Sequence, residues 1–420
     1  MLKELRLIII LLSISFTIKA QEITSVPDSA LNVNDTLAVT ENEVDTIPLT
    51  LRLDSLLSSS MFKTSQVSLY VYDLDGDSII YEHNKAQLMR PASVEKLLTS
   101  ITALDCLGSS YQFRTNMYGD GTIVEDSIYQ GNIYFKGGMD PAFCHDDMYA
   151  MVGVLQKEGI KKIDGLFFCD LSFKDSLRYG EGWCWDDDNY VLTPLLYESK
   201  DIFMEQFFEM LSDCGISHTK QYKGYVIEST DSLELLSTRT HNMDQILMPM
   251  LKNSNNLYAE SMMYQLGAGK VYAPASESIA KIRQQINKIG MGHVESNIAD
   301  GSGLSLYNYT TSELIVKFLQ YSYQRNNIFL HLYPSLPIAG TDGTLSHRMV
   351  NTIADGNVHA KTGTLSRVST LAGYLKRPDG NMVAFCIMNQ GIRSQSKAHT
   401  FQDRVCKLLC KYPFAKNKSN

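Results

Sequence analysis

The sequence predicts a mixed chain of the α/β (α+β) class, and three observations predict it. Val67, Leu69 and Val71 alternate, Asp75-Gly76 marks a turn, and Ile79-Ile80-Tyr81 returns, which is the pattern of a hairpin. Near the other end, 358–363, 369–375 and 382–389 read as three strands, the last pair joined by Pro378-Asp379-Gly380. Between these groups, apolar residues recur at helical spacing.

Taken in order, the elements begin with a segment outside the fold. Lys3 and Arg6 precede an apolar run from Leu7 to Ile18 that ends at the small residue Ala20. The run is too short to span a bilayer comfortably, so residues 1–20 read as a signal peptide, the alternative being an uncleaved anchor. Residues 21–48 hold six acids and no Lys or Arg, and read as a flexible acidic leader. Leu51, Leu53, Leu56 and Leu57 open a helical pattern ahead of the hairpin. Arg90-Pro91-Ala92-Ser93 leads into Leu97, Leu98, Ile101, Leu104 and Leu107, which predicts a helix starting about Ser93. From 108 to 197 short β-like runs alternate with turns, so this stretch is expected to be an inserted β-rich domain. Trp183 and Trp185 are expected to anchor its small core, and Asp140, Asp186 and Asp187 to be structural or surface carboxylates. Helical patterns return at 202–211, 257–266 and 401–409. The division expected is thus 49–107 with 198–420 as one domain, and 108–197 as the insertion.

Composition narrows the function classes. At 420 residues and a net charge of −8, the chain has room for roughly two or three domains and lacks the Lys/Arg excess that nucleic acid binding requires. Most of that charge belongs to the leader, whose acids carry −6, so the body is nearly neutral. No later stretch approaches a membrane span, and the mature protein is expected to be exported, periplasmic and soluble. Eight widely spaced cysteines form no CxxC pair, and no HExxH occurs, so buried free thiols with room for one bridge are expected. No metal or cofactor is signalled.

Three short motifs carry the chemistry. Ser93-Val94-Glu95-Lys96 is S-x-x-K, Ser254-Asn255-Asn256 is S-x-N, and Lys361-Thr362-Gly363 is K-T-G. S-x-x-K also occurs at Ser60/Lys63, Ser217/Lys220, Ser278/Lys281 and Ser394/Lys397, so alone it says little. Only Ser93 follows a Pro-containing loop and opens an apolar-periodic helix, where positions i and i+3 share a face and Lys96 can reach the Ser93 hydroxyl. Against this stands plain helix capping, for which Ser and Asn at 93, 254 and 256 are also suited. Lys361 lies on a predicted strand, where a sheet edge can receive an extended peptide.

The trio in this order resembles the signature of penicillin-binding proteins and serine β-lactamases. The flanking segments 252–260, 300–305, 336–345 and 359–364 look like the class C low-molecular-mass penicillin-binding proteins, the D-alanyl-D-alanine carboxypeptidase/endopeptidases of peptidase family S13 (PBP4/DacB type). Gly137-Gly138-Met139-Asp140-Pro141 and Gly182-Trp183-Cys184-Trp185-Asp186-Asp187 resemble parts of that family's inserted region, although the span from Ser93 to Ser254 has room for one insertion rather than two.

The resemblance implies a transpeptidase-like fold, an antiparallel sheet flanked by helices. It implies peptidoglycan stem peptides ending in D-Ala-D-Ala as substrates and β-lactams as covalent ligands, with no cofactor. By the same resemblance Ser93 is the nucleophile and Lys96 its base, made neutral by burial and by the charge of Lys361. Ser254 relays a proton to the leaving amine. Asn256 holds the substrate amide, and Lys361 and Thr362, with Gly363 completing the motif, meet the terminal carboxylate or shape the field around Ser254. The N–H groups of Ser93 and Thr364 form the oxyanion hole, and Lys252 supports Lys96 from behind. Two other readings stay open, a serine β-lactamase on the same fold and an inactive peptidoglycan-binding module. The sequence leaves the balance of carboxypeptidase and endopeptidase activity, the cysteine pairing and the oligomeric state open.

Overall fold

The computed structural model describes residues 47–184 and 189–412. The expected signal peptide, the leader apart from Ile47 and Pro48, and Trp185, Asp186 and Asp187 lie outside the described residues.

The chain opens with α1 (Leu49–Leu57), β1 (Gln66–Asp73) and β2 (Ser78–His83), then a 3₁₀ turn over Ala92–Glu95 that runs directly into α2 (Lys96–Leu107). There follow β3 (Gln112–Gly119), β4 (Thr122–Val124), β5 (Ile128–Gln130), β6 (Ile133–Gly137), α3 (His145–Lys157), β7 (Lys162–Asp164) and β8 (Phe167–Asp170). After a long irregular stretch come α4 (Phe203–Asp213), β9 (Tyr222–Gly224), β10 (Glu234–Asn242), α5 (Met243–Lys252) and α6 (Asn256–Leu266). The chain continues through α7 (Ala275–Lys288), α8 (Ser312–Tyr323) and α9 (Asn326–Ser335) and ends with β11 (His359–Leu365), β12 (Val368–Lys376), β13 (Met382–Gln390) and α10 (Gln395–Lys411).

The first and last strands meet in one sheet of order β11-β12-β13-β1-β2, antiparallel throughout. This is the antiparallel sheet flanked by helices that the sequence predicts. Helices cover both faces, and the strands show why. On β13, Met382, Ala384, Cys386 and Met388 face the core built with α2, α5, α6 and α8, while Val383, Phe385 and Ile387 face the core built with α1 and α10. A strand buried on both sides has no solvent face to mark with alternating polar residues, so β13 reads as a continuous apolar run from Met382 to Met388, and β12, buried over Val368–Leu375, interrupts its apolar run only with Ser369 and Thr370. β11 is an edge strand, whose outer side is bridged at His359 by Ile338 and, among the described residues, pairs with no further strand.

A second sheet has the order β10-β3-β6-β8-β9, antiparallel from β10 to β6 and parallel from β6 to β9. A three-stranded sheet, β4-β5-β7, lies beside it in sequence. These sheets draw on residues 112–242, beyond the 108–197 expected for the insertion. The difference lies in α4, which looks like a return to the main helices. Its Phe203, Phe207 and Phe208 instead join Phe135, Phe143 and Phe167 in the second sheet's own core, and β10 then pairs with β3. Trp183 also differs from expectation. It packs against the main core, and its indole N–H donates to Asp300 Oδ2 at 2.9 Å. Cys106, Cys144, Cys169, Cys214, Cys386, Cys406 and Cys410 are free thiols, and Cys169, Cys386, Cys406 and Cys410 are buried.

Because Phe385 is fully buried in a central strand, Phe385→Ala is expected to lower stability by about 3–5 kcal/mol. Leu51→Ala, on a side chain 57 % exposed, is expected to change it by no more than about 0.5 kcal/mol. Denaturant midpoints at constant slope measure both.

Candidate active site

Ser93 does not open the α-helix as a cap. It sits inside the 3₁₀ turn, and its hydroxyl caps no backbone group. Ala92 before it has a left-handed φ of 48°. That turn projects the half-buried Ser93 Oγ to 2.9 Å from Lys96 Nζ, the reach expected for positions i and i+3.

Lys96 is fully buried, and its Nζ meets three oxygens: Ser93 Oγ at 2.9 Å, Asn256 Oδ1 at 2.7 Å and the Ser302 carbonyl at 2.8 Å. The last two are pure acceptors and occupy two N–H groups. A neutral amine then keeps its lone pair for the Ser93 hydroxyl. Burial lowers the Lys96 pKa to about 7, opposed by the nearby carboxyl groups of Asp300, Glu260 and Glu95. The cause of the shift is thus burial, and the Lys361 charge expected to contribute is not among its sources.

The second motif is arranged by its middle residue. Asn255 Oδ1 accepts the Tyr258 N–H at 3.3 Å and takes the capping role at α6. Ser254 and Asn256 are therefore left to face inward. Ser254 is held at φ 60°, a strained conformation for a residue other than glycine, and its Oγ accepts from Lys361 Nζ at 2.8 Å.

Lys361, on edge strand β11, is also fully buried and donates a second bond to the Thr362 carbonyl at 2.8 Å. Burial, then the charge of Lys96, holds its pKa well below the usual lysine range. Thr362 is half-buried and donates to Thr344 Oγ1 at 2.7 Å, while Thr364 is exposed on the same strand. Gly363 is fixed by close approach. A Cβ there would lie 2.1 Å from Thr370 Oγ1, 2.8 Å from the Pro91 carbonyl and 3.0 Å from Ala92 Cβ. Only glycine lets β11 lie this close to the turn that carries Ser93.

Ser93, Lys96, Ser254, Asn256 and Lys361 thus form two hydrogen-bonded pairs, Ser93 with Lys96 and Ser254 with Lys361, with Asn256 bound to Lys96. Lys252 stands apart from them. Its Nζ pairs with Asp342 Oδ2 at 2.6 Å, and among the described residues it makes no contact with Lys96. The spacing alone misses Ser302, because its contribution is a backbone carbonyl. It also misses Glu260, which is buried one turn after Asn256, and Thr344. All three lie in segments that the resemblance marks.

The sequence model of the D-Ala-D-Ala carboxypeptidase 3 (S13) family matches residues 49–196 and 196–412. The chain is 25 % identical over 414 residues to the D-alanyl-D-alanine carboxypeptidase DacB of Haemophilus influenzae, covering 78 % of this chain and 86 % of that protein. It is 23 % identical over 456 residues to the D-alanyl-D-alanine carboxypeptidase of Actinomadura sp. strain R39, covering 86 % and 84 %. Among solved structures, penicillin binding protein 4 (dacB) from Haemophilus influenzae superposes with a TM-score of 0.78 at 22 % identity, over 86 % of this chain and 99 % of that one. The predatory endopeptidase Bd3459 from Bdellovibrio bacteriovorus superposes at 0.55 with 18 % identity, over 82 % and 92 %. These superpositions show the fold.

Two outcomes follow from the geometry. If Lys96 must be neutral to take the Ser93 proton, covalent modification of Ser93 by a serine-directed acylating agent is expected to fall about tenfold per pH unit below pH about 7 and to level off above it. Stopped-flow rates across pH 5–9 check this. Gly363→Ala is expected to slow the same step by at least roughly tenfold, a 1 Å misplacement being enough.

Proposed function

The chain belongs to the D-Ala-D-Ala carboxypeptidase 3 (S13) family, and from that premise we propose that it is a serine-type D-Ala-D-Ala carboxypeptidase and D,D-endopeptidase. Its substrates are peptidoglycan stem peptides, and it acts through an acyl-enzyme on Ser93. It binds penicillin covalently at the same residue. The observation that carries the reading is the pairing of two buried lysines with two half-buried serine hydroxyls, Lys96 on Ser93 and Lys361 on Ser254, beside the edge strand β11.

In this mechanism the substrate's C-terminal segment lies along β11 as an added strand. Ser93 Oγ attacks the carbonyl between the two D-alanines, and Lys96 Nζ takes the hydroxyl proton. The Ser93 and Thr364 N–H groups stabilise the oxyanion. Each such donor is worth roughly 3–4 kcal/mol. The proton passes by way of Ser254 to the departing amine, so that the C–N bond breaks as the leaving group becomes neutral. Asn256 orients the substrate amide with its side-chain N–H group, its Oδ1 being engaged by Lys96. Lys361 and Thr362 receive the terminal carboxylate. Water then attacks the ester, Lys96 again acts as base, and Ser93 is regenerated. Lys252, paired with Asp342, holds the 336–345 segment rather than Lys96.

Such substrates place the protein in the periplasm, in keeping with the reading of residues 1–20 as a signal peptide. Among the described residues no helix is long and apolar enough to cross a membrane.

Mass spectrometry of the purified protein after benzylpenicillin tests the reading. A penicilloyl adduct on Ser93, absent in Ser93→Ala, is expected. No adduct in the folded protein would overturn it, and rapid drug turnover without an accumulating adduct would favour a β-lactamase. Release of D-alanine from a pentapeptide monomer and cleavage of a cross-linked muropeptide then measure the two activities separately.

A further inference from the structure

The third acceptor on Lys96 is a backbone carbonyl, and no side-chain change at Ser302 can supply or remove it. Its direction is set by whatever fixes the loop over Asp300–Gly303. That loop is pressed against the turn carrying Ser93. A Cβ on Gly303, at φ +80°, would come within 1.9 Å of the Ala92 carbonyl.

On one side the loop is fastened by Asp300. Its Oδ1 accepts from the Gly303 N–H at 2.7 Å and from Asn308 Nδ2 at 2.8 Å, and its Oδ2 from the Ser305 N–H at 2.6 Å and Trp183 Nε1 at 2.9 Å. On the other side stands Glu260, 1 % exposed, four positions after Asn256 on the same face of α6. Its two carboxyl oxygens receive the Gly301 N–H at 3.1 and 3.2 Å, and the Ser302 hydroxyl bonds to the same carboxyl. The Gly301 carbonyl is taken by Thr99 Oγ1 at 2.7 Å. Gly301 is therefore held at both its N–H and its carbonyl by buried groups, and the next carbonyl along is the one that meets Lys96 Nζ at 2.8 Å.

We infer that Glu260 is a positioning residue, which holds the Gly301 N–H and the Ser302 side chain so that the Ser302 carbonyl occupies one Lys96 N–H and leaves the amine lone pair directed at Ser93. The inference rests on the reaction proposed above. A buried carboxyl is an expensive way to fill space, since an apolar side chain of similar volume often leaves a core as stable or more so. What an apolar side chain does not supply is an acceptor for the Gly301 N–H, which it would leave buried and unpaired. Burial, with Asp300 nearby, raises the Glu260 pKa to about 8, and a glutamine matches the group in shape and still offers an oxygen to the Gly301 N–H. Lys96, Glu95 and Asp300 face the same buried cluster, and Lys174 and Tyr264 also feel the Glu260 carboxyl.

Penicillin acylation of the full chain at pH 7, resolved into the affinity of the non-covalent complex and the first-order acylation constant, tests the role. Glu260→Leu is expected to lower the acylation constant by roughly ten- to hundredfold while changing the non-covalent affinity by less than about twofold. Glu260→Gln is expected to retain at least about a third of the wild-type constant, because it still accepts the Gly301 N–H. A Glu260→Leu protein that folds and acylates like the wild type overturns the inference, and so does an equal loss in both variants. If Glu260→Leu does not fold, Ser302→Ala decides. That variant removes one of the two donors to Glu260 and leaves the carbonyl in place, so a loss of about three- to tenfold in the acylation constant supports the role and an unchanged constant overturns it. A wild-type protein that forms no Ser93 adduct would instead remove the proposed function itself.

Discussion

The burial of Lys96 is the constraint on which the rest of the site depends. An ammonium group in this position loses its water and must be repaid by acceptors, or else give up its proton. The surroundings fall between these limits. Two fixed acceptors, Asn256 Oδ1 and the Ser302 carbonyl, and the carboxyls of Asp300, Glu260 and Glu95 keep the pKa from collapsing, while full burial brings it down to about 7. With fewer acidic neighbours the lysine would be neutral but its carrier loops less firmly held. With more exposure it would remain a cation and a poor base for a serine.

Holding that balance requires several elements distant in sequence to converge on one atom. Lys96 comes from the start of α2, Asn256 from the start of α6, and the carbonyl from the loop before α8. Each is fixed by packing rather than by its own propensity. α2 and α6 lie in the core beneath one face of the main sheet, and β11 is set against the Ser93 turn by the space that Gly363 leaves empty. Two residues with strained backbone lie here too. Ala92, with left-handed φ, precedes Ser93, and Ser254 itself has left-handed φ, so each of the two serine hydroxyls that face a lysine is carried by such a turn. Strain of this kind persists only where surrounding structure over-determines it.

Much of this was legible in the sequence, and the parts that were not have physical reasons. The hairpin, the last three strands and the Ser93/Lys96 spacing follow from periodicity and local geometry, and the structure repeats them within a few residues. The Ser93 turn is 3₁₀ rather than the start of an α-helix because apolar periodicity does not distinguish the two over one turn. The limit of the second sheet was hidden because an amphipathic helix such as α4 shows that it has an apolar face but not which sheet the face covers. The partner of Lys252 was hidden because an ion pair across 90 positions leaves no local trace. Ser302 contributes only its backbone, which no side-chain pattern reports.

The two buried lysines are not equivalent, and the difference comes from their neighbours. Lys96 faces three carboxyl groups, which partly offset burial. Lys361 has no carboxylate among the causes of its shift, only burial and the charge of Lys96, and both act in the same direction. A group buried without a counter-charge is tuned by whatever charge arrives beside it. A substrate carboxylate set down next to Thr362 would be the missing anion. It would favour a proton on Lys361, and the charge so formed would in turn disfavour a proton on Lys96. Binding a free C-terminus would then help keep the base ready for Ser93, and a ligand without that carboxylate would not have the same effect. The overall charge of −8 gives no sign of this, because it says nothing about two amines that are fully buried.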